Sequence, residues 1–196
     1  MTEKEDKVKT NITKAWAQHL RSGATLLHPT DTIWGLASAA FSKKGVDKIY
    51  NIKQKPAHDP LILLVSDLNM LQRFITKIPP RIETLLDYVE RPLTLIYPKV
   101  KLLPESLIHK DGTVAFRIVP KTETADLIKM INQPLVSTSA NLNGRSYAKS
   151  YFDIDESIKE KVDYIYYPPN ELKLEYNQPS VIAKFDRNGE LDFIRT

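Results

Sequence analysis

The run PLILLV, residues 60–65, decides the fold class, because every residue after its proline is apolar. The run is too short for a typical helix but has the usual length of a strand. A strand without alternating polar residues is covered on both faces, as in sheets that carry helices. The run therefore predicts a buried strand of an α/β protein.

Segments with helical patterns lie on both sides of this strand in the sequence. Their cap residues, prolines and apolar spacing predict several helices: one capped by Asn11 and ended by Gly23, one capped by Ser42 over FSKKGVDKIYNIK, one capped by Ser66, one begun by Pro79 and Pro80, one over TETADLIKMI and one over residues 153–162. These helices alternate with strands, which favours helices packed against a sheet.

Strand patterns fill the gaps between the helices. They comprise TLL at 25–27, LTLIYP at 93–98, TVAFRIV at 113–119 and PLVSTSAN at 134–141. The 93–98 and 113–119 runs alternate, which is typical of half-buried strands. SVIAKF and LDFIRT flank Asn188-Gly189, a dipeptide suited to a tight hairpin turn. The hairpin favours a mixed sheet over a purely parallel one.

Composition limits the classes of function. The 196 residues carry a formal charge of +4 and no cysteine, so a disulfide or a cysteine nucleophile is excluded. The glycines form neither a GxGxxG nor a P-loop motif, and the four histidines lack metal-ligand spacing. We find no secretory signal and no apolar run long enough for a membrane helix. We therefore expect a single cytoplasmic domain over residues 1–196, with no membrane contact.

Three polar segments are candidates for ligand binding. Thr30, Asp31 and Thr32 follow the first strand, within LLHPTDTIWGL. Lys53 and Lys55 alternate before Pro56, so an extended backbone would point both ammonium groups to one side, toward phosphate oxygens. Ser137, Ser139 and Asn141 alternate after a buried strand and offer hydroxyl and amide groups to phosphate or to a hydrated metal ion.

Each segment also allows a purely local role. Lysines at a helix C-terminus complement the helix dipole, serine and asparagine after a strand form turn hydrogen bonds, and PTDT can cap a helix. Arg117, within the 113–119 strand, either faces solvent or pairs with a buried anion. Its position in the sequence leaves both alternatives open.

The order and spacing of these segments resemble the YrdC-like threonylcarbamoyl-AMP synthases in their single-domain form. The resemblance extends over about residues 24–195 and is carried by HPTDTIWGL, IYNIKQKP, PLILLV, RPLTLIYP, TVAFRIV, VSTSAN, PSVIAKF and FIRT. It implies a YrdC/RibB-like fold: a twisted mixed α/β sheet with flanking helices that forms a concave basic cavity.

The resemblance also implies an adenylate-forming nucleotidyltransferase. L-threonine, bicarbonate and ATP would yield L-threonylcarbamoyladenylate and pyrophosphate, with Mg²⁺ carried by ATP and no protein nucleophile. Partner proteins would then pass the threonylcarbamoyl group to the adenosine beside the anticodon of certain tRNAs, which becomes threonylcarbamoyladenosine. By resemblance, nucleotide and phosphate binding falls to Lys53, Lys55, Ser139, Asn141 and Arg195, and threonine binding to Thr30, Thr32, Arg117 and Ser180.

This sequence departs from the family pattern at three places. Lys55 stands where the family usually has arginine, Asp59 precedes the PL dipeptide, and Glu90-Arg91 replace Pro-Gly before PLT. Two other hypotheses therefore stay open. One is a non-catalytic module that binds tRNA or double-stranded RNA, and the other is a related ligase with a different substrate.

Overall fold

The structure is a computed structural model that describes residues 13–57, 59–120, 122–166, 176–186 and 188–196. Its strands are β1 (Leu26–His28), β2 (Gly35–Ala39), β3 (Ile62–Val65), β4 (Leu93–Tyr97), β5 (Val114–Ile118), β6 (Leu135–Ser139), β7 (Tyr164–Ile165), β8 (Val181–Phe185) and β9 (Leu191–Arg195). They form one sheet in the order β7-β1-β2-β6-β3-β5-β4-β8-β9.

The sheet is mixed, as the sequence predicted. Strands β1 and β7, β3 and β5, and β4 and β8 pair in parallel. The other neighbours, including the predicted β8–β9 hairpin, pair antiparallel. In the hairpin loop, the Asp186 carboxylate accepts hydrogen bonds from the backbone N–H groups of Asn188 and Glu190, and Gly189 adopts a positive φ of 81°.

The helices lie where the sequence placed them, with small shifts at their ends. They are α1 (residues 13–21), α2 (Lys43–Lys53), α3 (Leu68–Gln72), α4 (Pro80–Tyr88), α5 (Glu123–Ile131) and α6 (Glu156–Lys161). The predicted 153–162 helix is shorter, because a separate 3₁₀ turn occupies Tyr151–Asp153. Asn11, the predicted cap of α1, and Ile12 lie outside the described residues. None of the described helices is long and apolar enough to cross a membrane.

The helix caps confirm one prediction and correct another. The Ser42 side chain accepts a hydrogen bond from the Gly45 N–H, as expected for the cap of α2. Ser66 does not cap α3. The helix begins at Leu68, so the Asp67 carboxylate accepts from the Met70 N–H at 2.8 Å, and Ser66 donates its hydroxyl to Asp67.

Strand β2 was not identified from the sequence. Its residues, GLASA, have low strand propensity, yet all five are buried between β1 and β6. The small residues let α2 approach the sheet: a Cβ atom at Gly45 would lie 1.9 Å from the Ser38 hydroxyl oxygen. Small residues are therefore required here by the close packing of α2, which the periodicity of the sequence does not reveal.

The prediction that β4 and β5 are half-buried was wrong. Four of the five residues in each strand are buried, because both strands lie inside the sheet with a neighbour on each side. Their alternation of residue types instead separates two buried faces. On the inner strand β3 all four residues contact the larger core, and Ile62 and Leu64 also line a cavity on the other face of the sheet.

Two hydrophobic clusters stabilise the sheet. The larger one packs helical residues such as Leu20, Leu71, Ile82 and Ile128 against the strands. The smaller one joins Leu27 and Leu36 to Ile158 of α6 and to Trp34. The prediction of a mixed α/β sheet with flanking helices is confirmed, whereas a single domain over all of residues 1–196 stays a prediction.

Candidate anion-binding site

A cavity of about 440 Å³ opens on the sheet face opposite the larger core. Its floor contains one residue from each of four adjacent strands, paired in register: Ser137, Ile62, Ala115 and Ile96. Ligand pockets commonly have about 300–1,000 Å³, so the volume suits a small organic ligand. The walls come from the β1–β2 loop, the end of α2, the loop after β6, and the β8–β9 hairpin.

The lining of the cavity is strongly basic. Among the described residues, no aspartate or glutamate lines it. The charged side chains in the lining are Lys53, Lys55, Arg117, Arg145 and Arg195. Cations clustered in a cleft with apolar walls focus a positive potential. The cavity is therefore built for an anion with several negative charges.

Lys53 lies at the centre of the basic wall. It is the last residue of α2 and is only 4% exposed. Its Nζ donates to the Ser139 carbonyl oxygen at 2.7 Å and to Asn141 Oδ1 at 3.1 Å, with the Ser139 hydroxyl at 3.4 Å. The predicted meeting of the KQKP and STSAN segments is thus observed across 86 residues of sequence.

The two lysines come together by a different route from the predicted one. An extended backbone from Lys53 to Lys55 is wrong, since Lys53 is helical and Gln54 adopts a left-handed conformation with φ of 52°. This C-cap turns the chain, and Lys55 Nζ donates to the Pro60 carbonyl oxygen at 2.6 Å. Both side chains line the cavity because the helix ends there.

Burial changes the acidity of both lysines. Burial, with a smaller contribution from the Lys55 charge, lowers the pKa of Lys53 to about 8. Burial also lowers the pKa of Lys55, and the nearby Asp59 carboxylate acts against this shift. Asp59 is not among the residues that line the cavity. Its negative charge therefore balances Lys55 from outside the site.

The STSAN turn shapes the next part of the wall. Asn141 uses its amide nitrogen to donate to the carbonyl oxygens of Leu142, at 3.1 Å, and Arg145, at 2.5 Å. Its amide oxygen accepts from Lys53. Asn141 therefore has the local turn role that the sequence allowed and also lines the cavity.

The PTDT loop combines a local turn with a buried ion pair. Thr30 Oγ1 donates to the Ile33 carbonyl oxygen at 2.7 Å and accepts from the Thr32 and Ile33 N–H groups, so its hydroxyl closes the turn. Asp31 pairs with Arg117, whose Nη1 also donates to the Thr32 hydroxyl at 3.2 Å. Of the two alternatives for Arg117, pairing with a buried anion is correct.

Unpaired polar atoms lie near this ion pair. Within the described residues, Arg117 Nε and His28 Nε2 are buried and have no hydrogen-bond partner. Burial lowers the pKa of His28 to about 4, so the imidazole is neutral at pH 7. Arg117 lines the cavity, so this unpaired donor belongs to a residue of the site, although the Nε atom itself is buried.

Ser180 and Arg195 form the wall at the hairpin side. Arg195 donates through Nε and Nη2 to the Ser180 carbonyl oxygen, at 3.0 and 2.7 Å. The Ser180 hydroxyl lies 2.8 Å from that of Thr94. All nine site residues predicted from the sequence therefore line one cavity.

Sequence reasoning missed several residues of the site. Arg145 and Tyr147 lie on the loop after β6, and Trp34 lies on the β1–β2 loop. The signal was the Asn143-Gly144 dipeptide, which predicts a turn and so brings the next residues back toward the strand end. In the described part of the chain, no three histidine, aspartate or glutamate side chains gather as metal ligands.

The fold and the cavity define an α/β protein with a basic site that suits an anionic ligand. Residues 18–196 match the Sua5/YciO/YrdC family, whose description is "Telomere recombination". This chain therefore belongs to the Sua5/YciO/YrdC family, as its sequence motifs indicated.

Two curated relatives carry a name for an activity. The threonylcarbamoyl-AMP synthase of Pseudomonas fluorescens is 29% identical over 156 residues, which cover 76% of this chain and 80% of that protein. The threonylcarbamoyl-AMP synthase of Pyrococcus abyssi is also 29% identical, over 150 residues that cover 76% of this chain but 44% of the longer relative.

Solved structures share the fold. A double mutant of P. abyssi Sua5 matches with a TM-score of 0.78 and 26% identity, covering 88% of this chain and 49% of that one. P. abyssi Sua5 complexed with L-threonine matches with a TM-score of 0.74 and 24% identity, covering 88% and 50% of the two chains. Escherichia coli YciO, at 19% identity and a TM-score of 0.76, covers 94% of this chain and 88% of its own.

Proposed function

We propose that this protein is an L-threonylcarbamoyladenylate synthase, which converts L-threonine, bicarbonate and ATP to threonylcarbamoyl-AMP and pyrophosphate. The observation that carries the proposal is the cavity with five basic side chains and, among the described residues, no carboxylate in its lining. A triphosphate and an amino-acid carboxylate are both anions, and such a cavity attracts both. The names of the two curated relatives support this choice of reaction.

The proposed chemistry needs positioning rather than a protein nucleophile. Threonine and bicarbonate form a carbamate with loss of water. One carbamate oxygen then attacks the α-phosphorus of ATP, and the bond to the bridging oxygen of the β-phosphate breaks, releasing pyrophosphate. Negative charge grows on the leaving group, so fixed cations accelerate the step by stabilising it. Holding both anions in one cavity also lowers the entropic barrier to their reaction.

We assign the phosphates of ATP to the wall formed by Lys53, Lys55, Ser139 and Asn141, with Arg195 across the cavity. Lys53 and Asn141 already contact each other, so the wall is preorganised. We assign the carboxylate and hydroxyl of threonine to the part of the cavity near Thr30, Thr32, Arg117 and Ser180. The Arg117 guanidinium, which lines the cavity, supports an anionic group at that position.

We propose that Mg²⁺ arrives bound to ATP. The described lining offers hydroxyl and amide oxygens but no carboxylate, so it does not suit a magnesium ion held directly by the protein. When it is bound to ATP, the ion supplies further neutralisation of the phosphates. Passage of the threonylcarbamoyl group to tRNA by partner proteins, and a cytoplasmic location, stay predictions.

Pyrophosphate release tests the proposed function. Purified protein with ATP and Mg²⁺ should release pyrophosphate only when both L-threonine and bicarbonate are present, and mass spectrometry should detect threonylcarbamoyl-AMP. A panel of other amino acids separates this reaction from that of a related ligase. A folded protein that releases no pyrophosphate, or binds RNA without using ATP, would overturn the proposal.

A further inference from the structure

The basic side chains of the cavity differ in how many hydrogen bonds they donate to other groups of the protein. Four of the five donate to protein acceptors: Lys53 to Ser139 and Asn141, Lys55 to Pro60, Arg117 to Asp31 and Thr32, and Arg195 to Ser180. These hydrogen bonds use some of the donors on each side chain and fix its orientation. A ligand therefore meets only the donors that remain, unless it replaces a hydrogen bond within the protein.

Arg145 is different. It is exposed and lines the cavity, and within the described ranges its guanidinium makes no hydrogen bond or ion pair. Its charge helps to lower the pKa of Asp155, but the two side chains form no ion pair. The guanidinium therefore offers all of its N–H donors to a ligand at no cost in protein contacts.

The backbone of Arg145 is nevertheless fixed. Its N–H donates to the Leu142 carbonyl oxygen at 3.0 Å, and its own carbonyl oxygen accepts from the Asn141 side chain. The Asn143 N–H donates to the Lys53 carbonyl oxygen at 3.0 Å, which ties this loop to the end of α2. A free side chain on an anchored backbone can close on a ligand without reordering the loop.

We propose that Arg145 is a further phosphate-binding residue, which binds the triphosphate of ATP from the rim of the cavity. The inference rests on the proposed function and adds to it a residue of the loop after β6. A guanidinium forms two parallel hydrogen bonds to one phosphate, whereas Lys53 and Lys55 act as point charges. Arg145 thus supplies a planar, bidentate contact to the phosphate-binding wall.

Titration of ligands into Arg145→Ala tests the assignment. We expect its dissociation constant for ATP to rise about tenfold, because a charge-assisted contact is lost, and its affinity for L-threonine to stay unchanged. Arg145→Lys keeps the charge but loses the bidentate contact, so its dissociation constant for ATP should lie between those of the wild-type protein and Arg145→Ala. Lys149→Ala is the matched control, since Lys149 is exposed on the same loop and does not line the cavity.

The outcomes separate this inference from the proposed function. Unchanged ATP affinity in Arg145→Ala, beside active wild-type protein, overturns only the role of Arg145. Equal losses for ATP and threonine, or an equal loss in Lys149→Ala, also overturn it. If wild-type protein releases no pyrophosphate but binds ATP or inorganic tripolyphosphate through Arg145, the proposed function fails and the phosphate site stands. Wild-type protein that binds neither compound overturns both.

Discussion

Arg117 and Asp31 form a buried ion pair that joins the loop after β1 to strand β5, with side chains only 5% and 6% exposed. Arg117 also donates to Thr32, so one guanidinium holds two of the three polar residues of the loop. The pair fixes the loop at the cavity wall and positions Arg117 next to the ligand space. It therefore links the stability of the fold to the geometry of the site.

Removal of the Asp31 charge should destabilise the protein. In Asp31→Asn the Arg117 guanidinium stays buried without its anion, which typically costs about 3–5 kcal/mol. Urea unfolding of the variant measures the loss. Replacement of both partners by apolar residues, Asp31→Leu with Arg117→Met, should cost less than the sum of the single changes, because no charge is left unpaired. Additive losses would show that the two side chains are not coupled.

Lys53→Ala should weaken the use of ATP. The change removes a cation at the centre of the proposed phosphate-binding wall, and a hydrogen bond to a charged group contributes about 1.5–3 kcal/mol, or about 10- to 100-fold in affinity. Calorimetric titration and pyrophosphate release measure the effect. Lys44→Ala provides the control, since Lys44 is exposed on the same helix and carries the same charge. A folded Lys53→Ala protein with normal ATP affinity would assign Lys53 to structure alone.

ATP affinity should also fall as the pH rises through about 8. Burial lowers the pKa of Lys53 to about 8, so the ammonium is largely charged at pH 7 and largely neutral at pH 9. If only the charged form binds phosphate, the affinity falls by up to about tenfold over this interval. Titrations at several pH values measure the slope, which should flatten in Lys53→Met. The same slope in that variant would assign the titration to another group.

Gly45→Ala should destabilise the protein even though alanine favours helices. The new Cβ would lie 1.9 Å from Ser38 Oγ and 3.2 Å from the Gly23 carbonyl oxygen, and overpacking typically costs about 1–3 kcal/mol. Thermal or urea unfolding measures the change. In a Ser38→Ala background, Gly45→Ala should cost less, because the closest atom is gone while Ser38 Cβ, at 3.0 Å, remains. A stabilised Gly45→Ala protein would contradict this close packing.

The local patterns that the sequence displays clearly were confirmed by the structure. The unbroken apolar run 60–65 contains strand β3, whose residues contact the larger core, two of them also lining the cavity. The segment with Asn188-Gly189 forms the predicted hairpin. In both cases residues close in sequence carry the whole signal, since turn conformation and the burial of one strand depend on few neighbours.

Several features of the structure were not predicted correctly from the sequence. Strand β2 has small residues that suit its contact with α2, and that contact is invisible in GLASA itself. Lys53 and Lys55 meet the same ligand space through a helix end, although their spacing suggested an extended segment. One error was local: Asp67 rather than Ser66 caps α3, because the helix begins one residue later than the pattern suggested.

The amino-acid order alone specified an α/β protein with a mixed sheet, its family, and nine polar residues that share one cavity. Periodicity and turn chemistry are local, so they can be read without coordinates. Only the tertiary structure decided which polar groups are free, since hydrogen-bond partners come from segments far apart in sequence. Arg117 forms an ion pair with Asp31, and Lys53 donates a hydrogen bond to Ser139. The guanidinium of Arg145 lines the cavity without such a partner among the described residues.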